Sequence, residues 1–334
     1  MRFLPVAVCG VLALTSGAWA EEKPAFGAQL EGFEYPHELK RHDFTSQRAK
    51  LSMGYMDVAA QTPNGRTIVL LHGKNFCAAT WEASIATLTK AGYRVIAPDQ
   101  IGFCTSTKPT NYQFSFQQLA ANTKGLLDSL DIKQAVVIGH SMGGMLASRY
   151  ALMYPDAVEQ LVLVNPIGLE DWQAKGVPYA SLDAAFEGEK KTSAESIKNY
   201  QLKFYYDGKW KPEYDRWVNM AAGLYNGPGG EIVAWNQAQT SDMVFTQPVI
   251  HEFPNIKAKT LLIIGGKDRT APGANRAPAE LAKALGNYPE LGRLTAKAIP
   301  SSELVELPEL GHSPQVEAPE QFHDVLLKGI AAAK

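Results

Sequence analysis

A serine between two glycines, a distant aspartate and a distant histidine could together perform nucleophilic acyl transfer, provided the fold brings them to one place. The serine is Ser141, in Gly139-His140-Ser141-Met142-Gly143, preceded by the apolar run Ala135-Val136-Val137-Ile138 and followed at once by helix-forming residues. In that setting G-x-S-x-G reads as a sharp strand-to-helix turn. Its glycines stand where neighbouring chain passes too close for a Cβ. The plainer reading is a buried serine at a helix start, and only the partners decide between the two.

A serine hydroxyl attacks poorly unless a base takes its proton. Of the 7 histidines, His37 and His42 fall on an early strand, His251 closes a helical stretch and His323 lies within the last helix. His72 and His140 sit beside glycines. His312, in "ELGHSPQVE", follows the final apolar run on a loop that Gly311 and Pro314 keep from becoming helix. It is the expected base. Asp268, in "IIGGKDRTAP", is the expected carboxylate that fixes the base's tautomer. Asp99 and Asp242 are weaker rivals. The order Ser141, Asp268, His312 is the one expected where a nucleophile sits on such a strand–turn–helix in an α/β architecture. The negative oxygen formed on attack needs two backbone N–H groups, expected from Met142 and Lys74. The Lys74 side chain is expected to point to solvent. Asn75, Phe76 and Asn165 are expected to contact substrate.

These residues need a scaffold. "HELKRHDF" and "LSMGYMDVA" alternate like strands, with "TPNG" as a turn. "TIVLLHG", "YRVIAPDQIG", "AVVIG", "LVLVNP", "TLLIIGGKD" and "SSELVEL" follow as short apolar or alternating runs. Helical patterns cover 80–91, 112–130, 143–154 and 319–333. Strands alternating with helices predict an α/β fold, a mostly parallel sheet with helices on both faces. In such sheets the working site lies at the carboxyl ends of the strands. From Pro166 to Ile256 no buried-strand run occurs, but Trp172, Trp210, Trp217 and Trp235 do, with six tyrosines. This is expected to be a helical insertion, 166–256, capping the site between core segments 21–165 and 257–334. An ordinary helical flank is the alternative.

Arg2, the apolar stretch to Leu14 and the small pair Ala18 and Ala20 read as a secretory signal, 1–20, cleaved near Ala20. The stretch is too short for a comfortable membrane span. Export to the periplasm or medium is the expectation, with no stable membrane insertion. Cys77 and Cys104 then remain, and an exported pair suggests a disulfide, two small buried thiols being the alternative. The net charge of -2 without a basic run argues against nucleic acid. With no metal-ligand spacing or phosphate loop, no cofactor or metal is expected.

"TIVLLHGKNF", "RVIAPDQIGFCTSTKP", "VVIGHSMGG", "LVLVNPIG", "LLIIGGKDRTAP" and "LPELGHSPQVEAPEQF" together resemble the successive signature segments of the α/β-hydrolase fold superfamily. The resemblance covers nearly all of the chain outside the insertion and the leader. It implies eight strands, a helical cap after the sixth, and Ser141, Asp268 and His312 as nucleophile, acid and base. Within the superfamily the chain resembles the capped esterase, epoxide hydrolase and carbon–carbon hydrolase group. Epoxide hydrolases and haloalkane dehalogenases carry aspartate where Ser141 stands. Proline iminopeptidases usually carry Gly-Gly-x-Gly where this chain has "HGKNFC". The expected function is a serine hydrolase of small-molecule carboxylic esters bearing an apolar group. Alternatives are a carbon–carbon hydrolase of ring-cleavage products, whose carboxylates Arg216 or Lys74 would bind, a cofactor-free perhydrolase, or a binding protein on the same scaffold.

Overall fold

The computed structural model describes residues 23–331; the signal-peptide reading of 1–20 lies outside the described residues, as does the end of the last expected helix. Eight strands form one sheet: β1 (Leu39–Ser46), β2 (Ala49–Val58), β3 (Thr67–Leu71), β4 (Arg94–Pro98), β5 (Ala135–His140), β6 (Val158–Val164), β7 (Thr260–Gly265) and β8 (Ser302–Leu307). Their spatial order is β1-β2-β4-β3-β5-β6-β7-β8. Only β1–β2 and β2–β4 are antiparallel; every pairing from β4 to β8 is parallel.

The helices in chain order are α1 (Glu82–Lys90), α2 (Phe116–Ser129), α3 (Met142–Met153), α4 (Leu182–Glu189), α5 (Ala194–Phe204), α6 (Asp215–Asn226), α7 (Gly230–Thr246), α8 (Ala279–Ala284), α9 (Tyr288–Ala298), α10 (Pro314–Glu317) and α11 (Pro319–Ala331). The sheet divides the core by strand alternation. Ile68, Leu70, Val136, Ile138, Val162 and Ile263 face one cluster, with Ile85 and Leu88 of α1 and Phe322 and Leu326 of α11. Val69, Leu71, Val137, Leu163 and Leu262 face the other, with Leu119 of α2, Leu146 of α3 and Leu291 of α9. Central strands buried on both sides need near-continuous apolar runs, which β5 has from Ala135 to Ile138, β6 from Leu161 to Val164 and β7 from Leu261 to Ile264. Truncating one such side chain, Ile138→Ala for example, costs about 2–5 kcal/mol.

Several local details differ from the expectations. The helix expected from Tyr112 begins at Phe116, because the Ser115 hydroxyl accepts from Gln118 N–H at 3.0 Å and sets the start there. The helix expected from Thr80 opens as a 3-10 turn over Ala78–Trp81. The tight β1–β2 turn places Gln47 and Arg48 at φ 50° and 64° with no glycine or asparagine to signal it.

The segment between β6 and β7 carries α4 to α7 and no strand. Its aromatic residues mostly pack on one another and on the core: Tyr206 stacks on Tyr214 with centroids 4.0 Å apart, Trp210 meets both rings edge-on, and Trp172 and Trp217 are buried. The leading segment crosses this helical layer. Phe26 N–H donates to Gly223 O at 2.8 Å, and Asn226 Nδ2 donates to Pro24 O at 3.0 Å. A Cβ on Gly227 would overlap the Phe26 carbonyl oxygen, and one on Gly223 would overlap the Phe26 ring. Further along, the Tyr35 hydroxyl donates to Asp99 Oδ2 at 2.6 Å, tying the same segment to the loop after β4. Among the described residues no helix is long and apolar enough to cross a membrane.

Candidate active site

Ser141 caps the N-terminus of α3 at φ 56° and ψ -122°, a conformation non-glycine residues rarely hold. Two close approaches impose it. A Cβ on Gly139 would overlap the Gly143 carbonyl, and a Cβ on Gly143 would overlap the Leu71 carbonyl at the end of β3. The turn is therefore pressed between its own helix and the neighbouring strand, and strain of this kind persists where the surroundings enforce it. Met142, the first residue of α3, has an N–H with no acceptor one helical turn before it. A Cβ on Gly73 would lie 2.9 Å from the Ser141 Cβ, so the Gly73-Lys74 loop runs directly against the serine. The two amides expected to hold an oxyanion, Met142 and Lys74, thus flank Ser141.

Asp268 lies three residues beyond β7 and His312 five beyond β8, both fully buried. His312 Nδ1 is 2.6 Å from Asp268 Oδ2. With its Nδ1 proton directed at the carboxylate, the ring presents Nε2 as an acceptor, and that buried nitrogen has no hydrogen-bond partner among the described residues. The His312 backbone is held as firmly as its ring. Its N–H donates to Tyr205 O at 2.9 Å, and its carbonyl accepts from His140 Nε2 at 2.8 Å. The His140 and His312 rings lie 4.9 Å apart, which sets His312 beside the residue preceding Ser141. Burial first, and then the neighbouring His312, hold the His140 imidazole well below the usual histidine range, so it stays neutral.

Asn165 corrects an expectation. It does not contact the cavity; it is fully buried with both ends engaged. Its Nδ2 donates to Asp268 Oδ2 at 2.9 Å and its Oδ1 accepts from Gly265 N–H at 2.9 Å. Thr270 N–H donates to the other Asp268 oxygen at 2.8 Å. The carboxylate is thereby fixed from three sides. Asp99 is occupied elsewhere, accepting from Ala78 N–H, Thr105 and Tyr35. His72 is also structural: its Nε2 accepts from Gln100 N–H at 3.0 Å, which leaves Nδ1 to donate to Gly73 O.

A cavity of about 230 Å³ lies under the α4–α7 layer, walled by Phe103, Ile197, Met220, Leu224 and Val233 and by a disulfide between Cys77 and Cys104. Asn75 and Phe76, the expected substrate contacts, line it, and among the tyrosines of the helical layer Tyr200 and Tyr225 do. Ser141 is not part of this wall. One layer of side chains intervenes: Phe76 stacks on Tyr205 at 5.8 Å, and Tyr205 in turn lies 4.4 Å from His312. Asn75 Nδ2 donates to the Tyr205 hydroxyl at 2.9 Å. The Lys74 side chain does not point to solvent. Its Nζ lies 3.2 Å from Glu189 Oε1 and 3.0 Å from Gln237 Oε1 on the cavity wall. Arg216, the other candidate for carboxylate binding, is at the surface, paired with Glu82 and stacked over Trp217.

Comparisons with known proteins agree with this architecture. Residues 66–319 match the family described as alpha/beta hydrolase fold. A solved structure of a probable hydrolytic enzyme from Pseudomonas aeruginosa PAO1 is similar at 60% identity and a TM-score of 0.91, over 92% of this chain and 98% of that one. A 2-hydroxy-6-oxononadienedioate/2-hydroxy-6-oxononatrienedioate hydrolase of Comamonas testosteroni is 27% identical over 80% of this chain and 88% of its own length. An enol-lactonase from Burkholderia xenovorans LB400 shares the fold at 20% identity and a TM-score of 0.65, over 84% of this chain and 97% of its own.

Proposed function

The chain belongs to the α/β-hydrolase fold family and is a hydrolase, and from that premise we propose that it cleaves carboxylic esters bearing an apolar group, with Ser141, His312 and Asp268 as its catalytic triad. The observation that carries the reading is the buried His312–Asp268 pair, 2.6 Å apart, with Nε2 free beside a strained serine turn. Ser141 Oγ attacks the carbonyl carbon while His312 Nε2 takes its proton. The resulting oxyanion is met by the Lys74 and Met142 amides, each such donor contributing on the order of 3–4 kcal/mol to the transition state. Collapse expels the alkoxide, which receives the proton from His312. Water then repeats the sequence on the acyl-enzyme and releases the acid.

The test is turnover of p-nitrophenyl esters by the purified protein, with Ser141→Ala as control. A loss on the order of 10⁶ in kcat, and a fluorophosphonate adduct mapped to the Ser141 peptide, support the reading. Equal turnover by the variant overturns it. A second reading, carbon–carbon hydrolysis of a ring-cleavage product, is favoured by the Comamonas testosteroni relative. Rapid cleavage of such a dienoate with slow ester turnover would select it.

We also propose export. The reading is supported by the leader-like composition of 1–20 and by the Cys77–Cys104 disulfide, since structural disulfides persist in oxidising compartments. A mature N-terminus at Glu21 supports it; an intact Met1 in the purified native protein overturns it.

A further inference from the structure

The cavity wall is mostly apolar, with neutral polar side chains such as Asn75, Thr192 and Ser196 and a single charged pair. In that pair Lys74 and Glu189 lie 3.2 Å apart, their side chains only 18% and 20% exposed. Glu189 is the last residue of α4, where the helix dipole disfavours a carboxylate. Tertiary partners hold it there instead: the Tyr225 hydroxyl donates to Oε2 at 2.7 Å, and Lys74 Nζ and Ser241 Oγ reach Oε1. Gln237 Oε1 takes a second N–H of the ammonium at 3.0 Å. An ammonium has three donors, so one remains for a ligand in the cavity that Lys74, Glu189 and Gln237 line.

We infer that the Lys74–Glu189 pair is a charge filter that admits neutral acyl groups carrying a hydrogen-bond acceptor and rejects acyl groups carrying a carboxylate. The inference rests on the ester-hydrolase reading and narrows its substrate class. A ligand carboxylate entering the cavity would lose its hydration against a wall of zero net charge, with Glu189 repelling it and already neutralising the Lys74 charge, so that the one remaining N–H does not offset the loss. A neutral carbonyl or hydroxyl loses little hydration and gains the remaining Lys74 N–H. The substrate is accordingly a neutral ester or lactone with a second carbonyl, amide or hydroxyl oxygen. Rejection here is achieved by an unfavourable encounter as much as by an attractive one.

The experiment compares p-nitrophenyl butyrate with the hemi-ester mono-p-nitrophenyl glutarate on wild-type protein and Glu189→Gln. Wild type should prefer the neutral ester by about 100-fold in kcat/KM, and Glu189→Gln should cut that preference at least about tenfold, chiefly through KM of the hemi-ester, because Lys74 is then unneutralised. The double variant Lys74→Met/Glu189→Gln restores a neutral wall and should recover the preference. A ratio unchanged in Glu189→Gln, or a wild type that prefers the hemi-ester, overturns the filter. A binding arm separates this from failure of the ester reading. Monomethyl glutarate and methyl pentanoate are titrated calorimetrically into Ser141→Ala and Ser141→Ala/Glu189→Gln. Tighter binding of the anion on loss of Glu189 upholds the filter even if no ester is turned over, and equal binding sinks it.

Discussion

Asp268 Oδ2 accepts from two partners at once, His312 Nδ1 at 2.6 Å and Asn165 Nδ2 at 2.9 Å. One carboxylate oxygen thus orients the imidazole while an amide orients the carboxylate. Asp268→Asn keeps the shape but presents an NH₂ group or a weaker acceptor to Nδ1, favouring the wrong tautomer. The expected result is a fall of about 10⁴ in kcat with a folded protein, checked by ester kinetics alongside circular dichroism.

Asn165→Ala removes the donor to Asp268 and leaves the buried Gly265 N–H without its acceptor. A loss of about 3 kcal/mol in unfolding free energy follows from one charged and one neutral buried hydrogen bond. Because Asn165 acts through Asp268, kcat should fall while KM stays near the wild-type value. Urea titration and Michaelis kinetics measure the two effects separately.

Acid should loosen the fold before it protonates the carboxylates. His323 donates or accepts against Ser84 Oγ at 2.8 Å, and burial pushes its pKa down to about 4, opposed by Asp324. Burial lowers His72 and His140 as well. In the unfolded chain these rings titrate near 6.5. Above that pH their contribution is fully present; as pH falls toward 4 the unfolded state binds protons the fold refuses, and stability declines. Asp57 and Glu252, held below the usual carboxylate range by Arg94 and Arg149, add their losses only at lower pH. Urea midpoints at pH 7.5, 6 and 5 should descend, and His323→Gln should flatten that slope.

The Cys77–Cys104 disulfide spans 27 residues of sequence separation. By chain entropy it contributes about 3–4 kcal/mol. The paired change to serine should lower the urea midpoint correspondingly, and because both residues line the cavity, KM should rise too. Denatured native protein should show no titratable thiol from this pair until reductant is added.

The proposed triad could be read from the chain because Ser141 and Asp268 lie at or just past the ends of buried strands and His312 lies just past the last strand, where a glycine or proline marks the rim. Asn165 occupies the same kind of place, yet its partners Gly265 and Asp268 lie about 100 residues on, and nothing local distinguishes a substrate contact from a brace. The Lys74 side chain was misread for the same reason: Glu189 and Gln237 belong to the insertion, far away in sequence. The aromatic residues of the insertion pointed to a cap over the site, and Tyr206, Tyr214 and Trp217 chiefly build the interior of that layer. Two helices before β8 escaped notice. The glycines and prolines from Pro272 to Pro289 break the apolar period there, and α8 has no buried residue.

The crossing of Phe26 over Gly223 and Gly227 has a consequence for traffic into the enzyme. A roof that lifted as a rigid plate would first have to unbutton that clasp, sacrificing its hydrogen bonds and exposing an aromatic ring. A route that moves side chains alone, such as the Tyr205 ring between the cavity and His312, would leave that clasp intact. Riveting residue 26 to residue 223 by a cross-link should leave the passage open.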